Sequence, residues 1–267
     1  MKAPKTKMRT STTEPILELK QVSKRFNSGT TAITGVSLSI QAGEFVTLLG
    51  PSGCGKSSVL RLIAGLEIPT NGTVRAPVLS TNQHSTAFVF QEATLMPWAT
   101  VFDNVWLPLR LQGQSEQVAK PRVHTALKNV GLEDFAHAYP AQLSGGMKMR
   151  ASIARALITE PQILLMDEPF GALDDFTRQK LNDDLLRWQQ ERGVATLFVT
   201  HNIAEAVFLS QRVLVMQARP GKVIHELLIN QPYPRTSEFR SSMIFLQYCR
   251  ELSATLELAM MTGVTES

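Results

Sequence analysis

Nothing in this chain is apolar for long enough to span a bilayer. A membrane-crossing helix needs about 20 apolar residues, and the longest apolar runs here are strand-sized. Met1 to Thr13 are basic and polar, without the apolar core of a secretory signal. Cysteine is scarce as well. The two present, Cys54 and Cys249, are distant and lack C-x-x-C spacing, which argues against a disulfide framework and a cysteine metal site. Neither sign of charge dominates: the net charge is +4, and Lys2, Lys5, Lys7 and Arg9 supply much of it from a stretch that reads as a disordered tail over 1–13. A solvated tail is a poor basis for nucleic-acid binding, and no nucleic-acid partner is expected. Internal repeats and low-complexity blocks are absent. What is left is ordinary globular material, 43% hydrophobic and 19% charged over 267 residues, enough for one large α/β domain or two small ones. A cytoplasmic location follows as the expectation, with any work at a membrane done through an integral partner.

Against that background one stretch stands out. Gly50-Pro51-Ser52-Gly53-Cys54-Gly55-Lys56-Ser57 fits the pattern G-x-x-x-x-G-K-[ST]. It follows the apolar run Phe45 to Leu49, which reads as a buried parallel strand, and precedes Ser58 to Ala64, whose apolar positions fit a helix. Glycines let the backbone turn its N–H groups inward, and the helix N-terminus adds a positive dipole end. Lys56 is long enough to reach β- and γ-phosphates, and the Ser57 hydroxyl suits Mg²⁺. Alone, this pattern implies a nucleoside triphosphate site and no more.

The remaining chain narrows the choice. Ile16 to Leu19 and Gly35 to Ile40 read as strands, with Phe26 on the loop between them, where an aromatic either stacks on a purine base or is simply core. Thr86 to Phe90 reads as a buried strand ending at Gln91, and Thr94 to Gly113 carries Trp98, Phe102 and Trp106. Residues of about 92–158 read as a mostly helical insertion. Ser144 is an N-cap candidate before Met147 to Ile158, and the pair Gly145-Gly146 leaves N–H groups open either to a simple cap or to an anion. Ile163 to Met166 reads as a central strand with Asp167 and Glu168 at its carboxyl end, the edge where open α/β sheets bind ligands. There Asp167 would reach Mg²⁺ and Glu168 would polarise water. Asp174 opens a helix expected to bury Phe176, Leu181, Leu185 and Trp188 before Gly193. His201 ends the next buried strand, Thr196 to Thr200, at the same sheet edge. Val213 to Met216 and Val223 to Ile229 bracket Arg219-Pro220-Gly221-Lys222, which predicts a hairpin with a type II turn. Phe245, Cys249, Leu252, Leu256 and Met260 predict a C-terminal amphipathic helix packed on the body.

In order and spacing these motifs resemble the ATP-binding subunit of ABC transporters from about residue 16 to 230. Phe26 is similar to the aromatic loop, Gly50–Ser57 to Walker A, and Gln91 to the Q-loop. Leu143–Met147 resembles the signature, Ile163–Glu168 Walker B, Gly171–Asp174 the D-loop and His201 the H-loop. Met147 stands where Gln is common, and Asn202 follows His201 where Asp is commoner; neither removes a group the chemistry needs. The run Phe90 to Val101, with Met147 and Ala218-Arg219-Pro220-Gly221, resembles the importer subgroup for nitrate, taurine, aliphatic sulfonates and thiamine-precursor pyrimidines.

The resemblance implies an α/β fold: a P-loop NTPase core with a mostly parallel sheet, an N-terminal antiparallel β subdomain and a helical insertion. It implies a nucleotide-binding domain over 14–235, followed by a helical tail over 236–267. The cofactors implied are ATP and Mg²⁺. Phe26, Gly50 to Ser57, Ser58, Ser144, Gly145, Gly146 and Asp174 would contact nucleotide, and Ser57, Gln91 and Asp167 would hold the metal. Glu168, His201 and Gln91 would serve hydrolysis. The implied partners are a second copy in a head-to-tail ATP sandwich, integral permease subunits and, indirectly, a solute-binding protein, with the chain at the cytoplasmic face of the inner membrane. The competing class is an ABC-type ATPase acting on nucleic acid or the ribosome. Such proteins usually carry coiled-coil insertions or two cassettes, and neither is seen here.

Overall fold

The computed structural model describes residues 14–76, 79 and 85–262, so the basic stretch before residue 14 and the last residues of the tail lie outside it. Strands β1 (Leu17–Arg25), β2 (Thr31–Ile40) and β4 (Asn71–Arg75) form an antiparallel sheet in the order β2-β1-β4. The two N-terminal strands run longer than their apolar segments suggested. Pairing between β1 and β2 continues through bulged register to Arg25 and Thr31, past the point where alternation fades.

The second sheet holds six strands in the order β5-β6-β7-β3-β8-β9. Its members are β3 (Phe45–Leu49), β5 (Thr86–Val89), β6 (Ile163–Asp167), β7 (Ala195–Thr200), β8 (Arg212–Gln217) and β9 (Lys222–Leu228). Pairing is parallel from β5 through β8, and only β9 runs antiparallel, against β8. The near-continuous apolar character of β3, β6 and β7 follows from this: every residue of β3 and β7 is buried, because both faces of the sheet are covered. Pleating divides the side chains between two cores. Phe45, Leu49 and Phe198 join one face's core, while Val46, Leu48, Leu197 and Val199 join the other's. The expected architecture of a mostly parallel sheet, an N-terminal antiparallel sheet and a helical insertion is the one adopted.

Helices α2 (Val101–Leu111), α3 (Glu116–Asn129) and α4 (Gly145–Leu157) lie between β5 and β6 in sequence. The start of α2 is set by Thr100 and Asp103 in a reciprocal capping box. Within α2, Asn104 is fully buried and stitches the preceding loop: it accepts from Met96 N–H and donates to the carbonyls of Met96, Ala99 and Thr100. That loop presents Trp98, 76% exposed, whereas Phe102 is buried and Trp106 donates its indole N–H to Gln114 O.

Helix α1 (Lys56–Ile63) follows β3, and α5 (Asp175–Arg192) and α6 (Ile203–Leu209) follow β6 and β7. Asp174 caps α5 by accepting from Thr177 N–H, and Gly193 ends it in the left-handed conformation, as the sequence predicts. Leu181, Leu185 and Trp188 are buried, but Phe176 is not: it is 80% exposed, because it sits on the first turn of α5, ahead of the segment that meets the core. Helix α7 (Ser237–Arg240) leads to α8 (Met243–Thr262), which packs on α6 and β8. Phe245, Leu252 and Leu256 are buried in it as expected, while Ala259 takes the inward place assigned to Met260, which is 52% exposed.

The β8–β9 hairpin forms, but its turn is not type II. That turn requires positive φ at the glycine, and here Arg219, not Gly221, has it, at 58°. Gly221 answers a different constraint. A Cβ there would lie 2.1 Å from Cys54 O and 2.7 Å from Ala32 O, so the glycine exists for close backbone approach.

Candidate functional site

The carboxyl ends of β3, β6 and β7 lie side by side, and the loops leaving them carry the chemistry. Between β3 and α1 the chain turns through Gly53 and Gly55, both at positive φ, and α1 begins at Lys56. At Gly55 a Cβ would meet Ile33 Cγ2 at 2.5 Å and Ala32 O at 2.8 Å, so the loop is wedged against β2. Lys56 is 4% exposed and its Nζ donates to Gly50 O at 2.8 Å and Pro51 O at 3.0 Å. The same ammonium lies 3.4 Å from Glu168 Oε1. Cys54 is buried beneath the loop, and burial pushes its thiol up from the ordinary range, which makes it packing material and not a nucleophile.

From β6 come the two carboxylates. Asp167 Oδ1 accepts from Ser57 Oγ at 3.0 Å. Burial raises the Asp167 carboxyl above the usual range, against the opposing pull of that hydrogen bond. Glu168, at φ 45°, is in the left-handed region that side chains other than glycine rarely adopt. That twist directs its side chain between two partners, Lys56 and His201. His201, on the corner between β7 and α6, places Nδ1 at 2.8 Å from Glu168 Oε2.

Beside these groups lies a cavity of about 580 Å³, whose lining does not include Gly50, Pro51, Cys54 or His201. Phe26, Ser52, Gly53, Gly55, Lys56, Ser57, Ser58, Gln91, Asp167 and Glu168 all line it. Phe26 is 37% exposed with Lys24 Nζ at 5.4 Å from its ring centre, so it is not a core residue. Four lining residues, Thr30, Thr31, Ala32 and Arg219, escaped sequence reasoning. Ala32 is brought in by the backbone contact with Gly55, and Arg219 by the hairpin turn. The only sequence signal for Arg219 was the turn itself, which says nothing of what it faces.

Ser144, Gly145, Gly146 and Asp174 are not among the residues lining this cavity. Ser144 caps α4 by accepting from Met147 N–H, and its neighbours pack on the D-loop side: a Cβ at Gly145 would sit 3.5 Å from Leu173, and one at Gly146 would sit 2.7 Å from Thr177 Cγ2. The signature segment and the start of α5 thus form one surface, apart from the phosphate loop of the same chain.

A second cleft, about 380 Å³, opens beside β5, which ends at Val89, two residues before Gln91, and includes Phe88, Phe90, Leu107, Leu111 and Arg155. Phe88 and Phe90 stack at 4.3 Å, and Leu111 is 79% exposed. Arg155 clamps the loop beyond Gln91, donating to the carbonyls of Ala93 and Thr94.

Comparisons with known proteins agree with this geometry. The family model described as ABC transporter matches residues 33–171. The chain is 45% identical over 83% of its length to an aliphatic sulfonates import ATP-binding protein of Pseudomonas syringae pv. syringae, covering 89% of that protein. It is 42% identical over 90% of its length to a nitrate import ATP-binding protein of Synechocystis sp., covering 94% of it. Among solved structures, a dimeric ATP-binding cassette in a post-hydrolysis state with ADP and Pi is similar with a TM-score of 0.72 at 35% identity, over 81% of this chain and all of that one. The cbiO1 protein of Clostridium perfringens, part of an ABC transporter complex, is similar with a TM-score of 0.75 at 26% identity, over 91% of this chain and all of that one.

Proposed function

The chain belongs to the ABC transporter family as an ATP-binding subunit that couples ATP hydrolysis to transport, and from that premise we propose that it energises import of a small anionic solute of the sulfonate or nitrate class. The observation that carries the ATPase reading is the meeting of Lys56, Ser57, Asp167 and Glu168 at one sheet edge around one cavity, with His201 joined to them through Glu168. The solute class rests on the relatives, two of which are named for sulfonate and nitrate import. Among the described residues no helix is long and apolar enough to cross a membrane. By its likeness to importer ATP-binding subunits, this chain works with membrane subunits, at the cytoplasmic face.

Phe26 stacks on the adenine, and the backbone amides from Gly50 to Ser58 with Lys56 hold the phosphates. For Mg²⁺ the donor set fits: a hydroxyl and a buried carboxylate 3.0 Å apart are hard oxygen ligands, with Gln91 on the same cavity wall. No cluster of three or more acidic, histidine or cysteine side chains able to hold a metal exists among the described residues. That suits an ion that keeps water and substrate phosphates for most of its shell. When bound, Mg²⁺ neutralises charge on the β- and γ-phosphates. Glu168 orients and polarises the attacking water, and His201, held by Glu168, steadies the γ-phosphate.

Ser144, Gly145, Gly146 and Asp174 act on the nucleotide of a second copy, which explains why they face away from their own cavity. In a head-to-tail pair the start of α4, with its helix-terminal N–H groups and Ser144, completes the γ-phosphate site of the partner. The Phe88–Leu111 cleft receives a short permease helix, and the exposed Trp98, on the loop that leads from Gln91 into α2, takes part in the same contact. Trp98→Ala is expected to lower transport in the assembled importer at least about tenfold, a typical loss for an aromatic anchor, while purified protein binds ATP as before. Transport at wild-type level would remove Trp98 from that interface. The solute itself is tested by co-purifying permease and solute-binding protein and titrating the latter with alkanesulfonates, taurine, nitrate and pyrimidines. Saturable binding of a sulfonate or nitrate supports the proposal, and selective binding of a cation or sugar refutes the solute class.

A further inference from the structure

The side chain of Arg178, on the first turn of α5, bonds to none of the groups assigned to nucleotide, yet it holds two parts of the site together. Its guanidinium is wrapped by the loop that joins the β6 carboxylates to α5. Nε donates to Phe170 O at 3.3 Å, Nη2 to Leu173 O at 2.6 Å and Nη1 to Asp175 Oδ1 at 2.7 Å. This loop presses on the chemistry: a Cβ at Gly171 would lie 3.4 Å from Glu168 O, 3.7 Å from Gln91 Nε2 and 3.9 Å from Glu168 Oε2.

From the other side Arg178 meets Glu205. Nε stands 3.7 Å from Oε1 of this carboxylate, which is 4% exposed on the first turn of α6. Glu205 Oε1 has no hydrogen-bond partner although buried. The other oxygen, Oε2, accepts from Thr200 Oγ1 at 2.5 Å, and the same hydroxyl accepts from Asn202 N–H at 3.0 Å. Asn202 Oδ1 in turn accepts from Glu205 N–H at 3.1 Å. Thr200, Asn202 and Glu205 thus form a closed ring of hydrogen bonds around the corner whose middle residue is His201. A stability role alone would not call for such an arrangement, since a buried ion pair is a costly way to join two elements and apolar residues of similar size do as well.

We propose that Arg178 and Glu205 are positioning residues, a charged link that ties the loop of residues 170–174 to the His201 corner and so sets how His201 and Glu168 meet. The guanidinium fixes the loop carbonyls; the carboxylate fixes the corner; the link makes movement of one felt by the other. Because the loop and Asp174 face the second copy in the proposed dimer, closure of that interface would be transmitted to His201 through this link. The inference rests on the roles proposed above for Glu168 and His201.

The test uses full-length protein and three variants, Arg178→Gln, Glu205→Gln and the double change, with ATPase kinetics, nucleotide affinity and thermal melting read in parallel. Glu205→Gln removes a buried charge while keeping shape, so its melting temperature is expected to hold. Its kcat is expected to fall about 10- to 100-fold, the loss that a misplacement near 1 Å causes, with KM for ATP within about twofold. Arg178→Gln leaves Glu205 buried and unpaired and is expected to melt earlier. The double variant recovers that melting loss, yet its kcat stays at the level of the worse single change. Arg178→Lys gives no rescue, because one compact ammonium cannot span the separate partners that Nε, Nη1 and Nη2 hold in a planar fork. Recovery of kcat together with melting in the double variant, losses that multiply, or wild-type kcat in Glu205→Gln would overturn the proposal. Glu168→Gln run alongside separates the two readings: if it abolishes turnover while the link variants do not, only the link fails.

Discussion

Glu168→Gln is expected to bind ATP at least as tightly as the unaltered protein and to turn it over at least about a hundredfold more slowly, the lower end of what a positioned general base contributes. The geometry makes this substitution unusually clean. Gln has the shape of Glu, so contacts at the twisted backbone position, φ 45°, are kept. What is lost is the charge between Lys56 Nζ at 3.4 Å and His201 Nδ1 at 2.8 Å. Removing a negative charge from a cavity that must take up phosphates favours nucleotide binding, whereas removing the acceptor that polarises water stops hydrolysis. Binding and turnover should therefore separate. With hydrolysis blocked, a second copy stays locked on by ATP, so the variant should migrate as a dimer in ATP and as a monomer without it. The checks are a phosphate-release assay, a nucleotide titration by fluorescence and size-exclusion with mass detection. Turnover within about threefold of the unaltered protein would take Glu168 out of the role assigned to it.

The parts of this site that could be read in the sequence are those made by short, contiguous stretches. The loop from Gly50 to Ser57 needs only a strand before it and a helix after it, and both are encoded next to it. Asp167, Glu168 and His201 share the same logic, since each ends or directly follows a buried, mostly apolar strand and parallel strands end at one edge. Phe26 was open between core and site because a single aromatic carries no period, and only its exposure decides. Where periodicity was trusted too far it failed at helix ends: Phe176 and Met260 fit the apolar stripe but project beyond the surface that buries it. The supports are a different matter. Arg155 holds the loop after Gln91, Arg178 holds the loop after Glu168, and Arg235, 5% exposed, donates to the carbonyls of Val207, Phe208 and Ser210 at the end of α6. Each pairs mainly with backbone carbonyls, and a carbonyl leaves no mark on residue identity. The segment proposed to meet a second copy carries a motif, but its separation from the cavity is a property of the folded chain.

Gly221→Ala is expected to damage the phosphate loop from outside it, by a single added methyl group. In the sequence this glycine looked like an ordinary turn residue, yet its φ is not positive and its turn is not the one that needs glycine. The need is spatial. Gly221 N–H donates to Ala32 O at 3.0 Å, and its carbonyl accepts from Thr34 N–H at 2.9 Å, so the hairpin is zipped to the start of β2. Cys54 O of the phosphate loop lies so close that a Cβ would stand 2.1 Å away, with Ala32 O at 2.7 Å. Both obstacles are backbone atoms, which cannot swing aside as a side chain would. Either the hairpin lifts from β2, breaking two hydrogen bonds, or Cys54 moves and carries Gly53, Gly55 and the phosphate-binding amides with it. Overpacking of this kind costs about 3 kcal/mol, the upper end of its usual range. In a chain of this size that corresponds to a fall in melting temperature of roughly 6–12 °C. ATP affinity should drop at least about tenfold, because displaced amides no longer converge on one anion. Gly193→Ala is the matching control: its φ is 61° but nothing lies within 4 Å of the added methyl, so it costs only the left-handed strain of about 1–2 kcal/mol, and ATP affinity is unchanged. The decisive comparison is nucleotide affinity at a temperature where both variants are folded. If Gly221→Ala binds ATP as Gly193→Ala does, the hairpin is not a brace for the phosphate loop, and the close approach of Gly221 to Cys54 has no bearing on function.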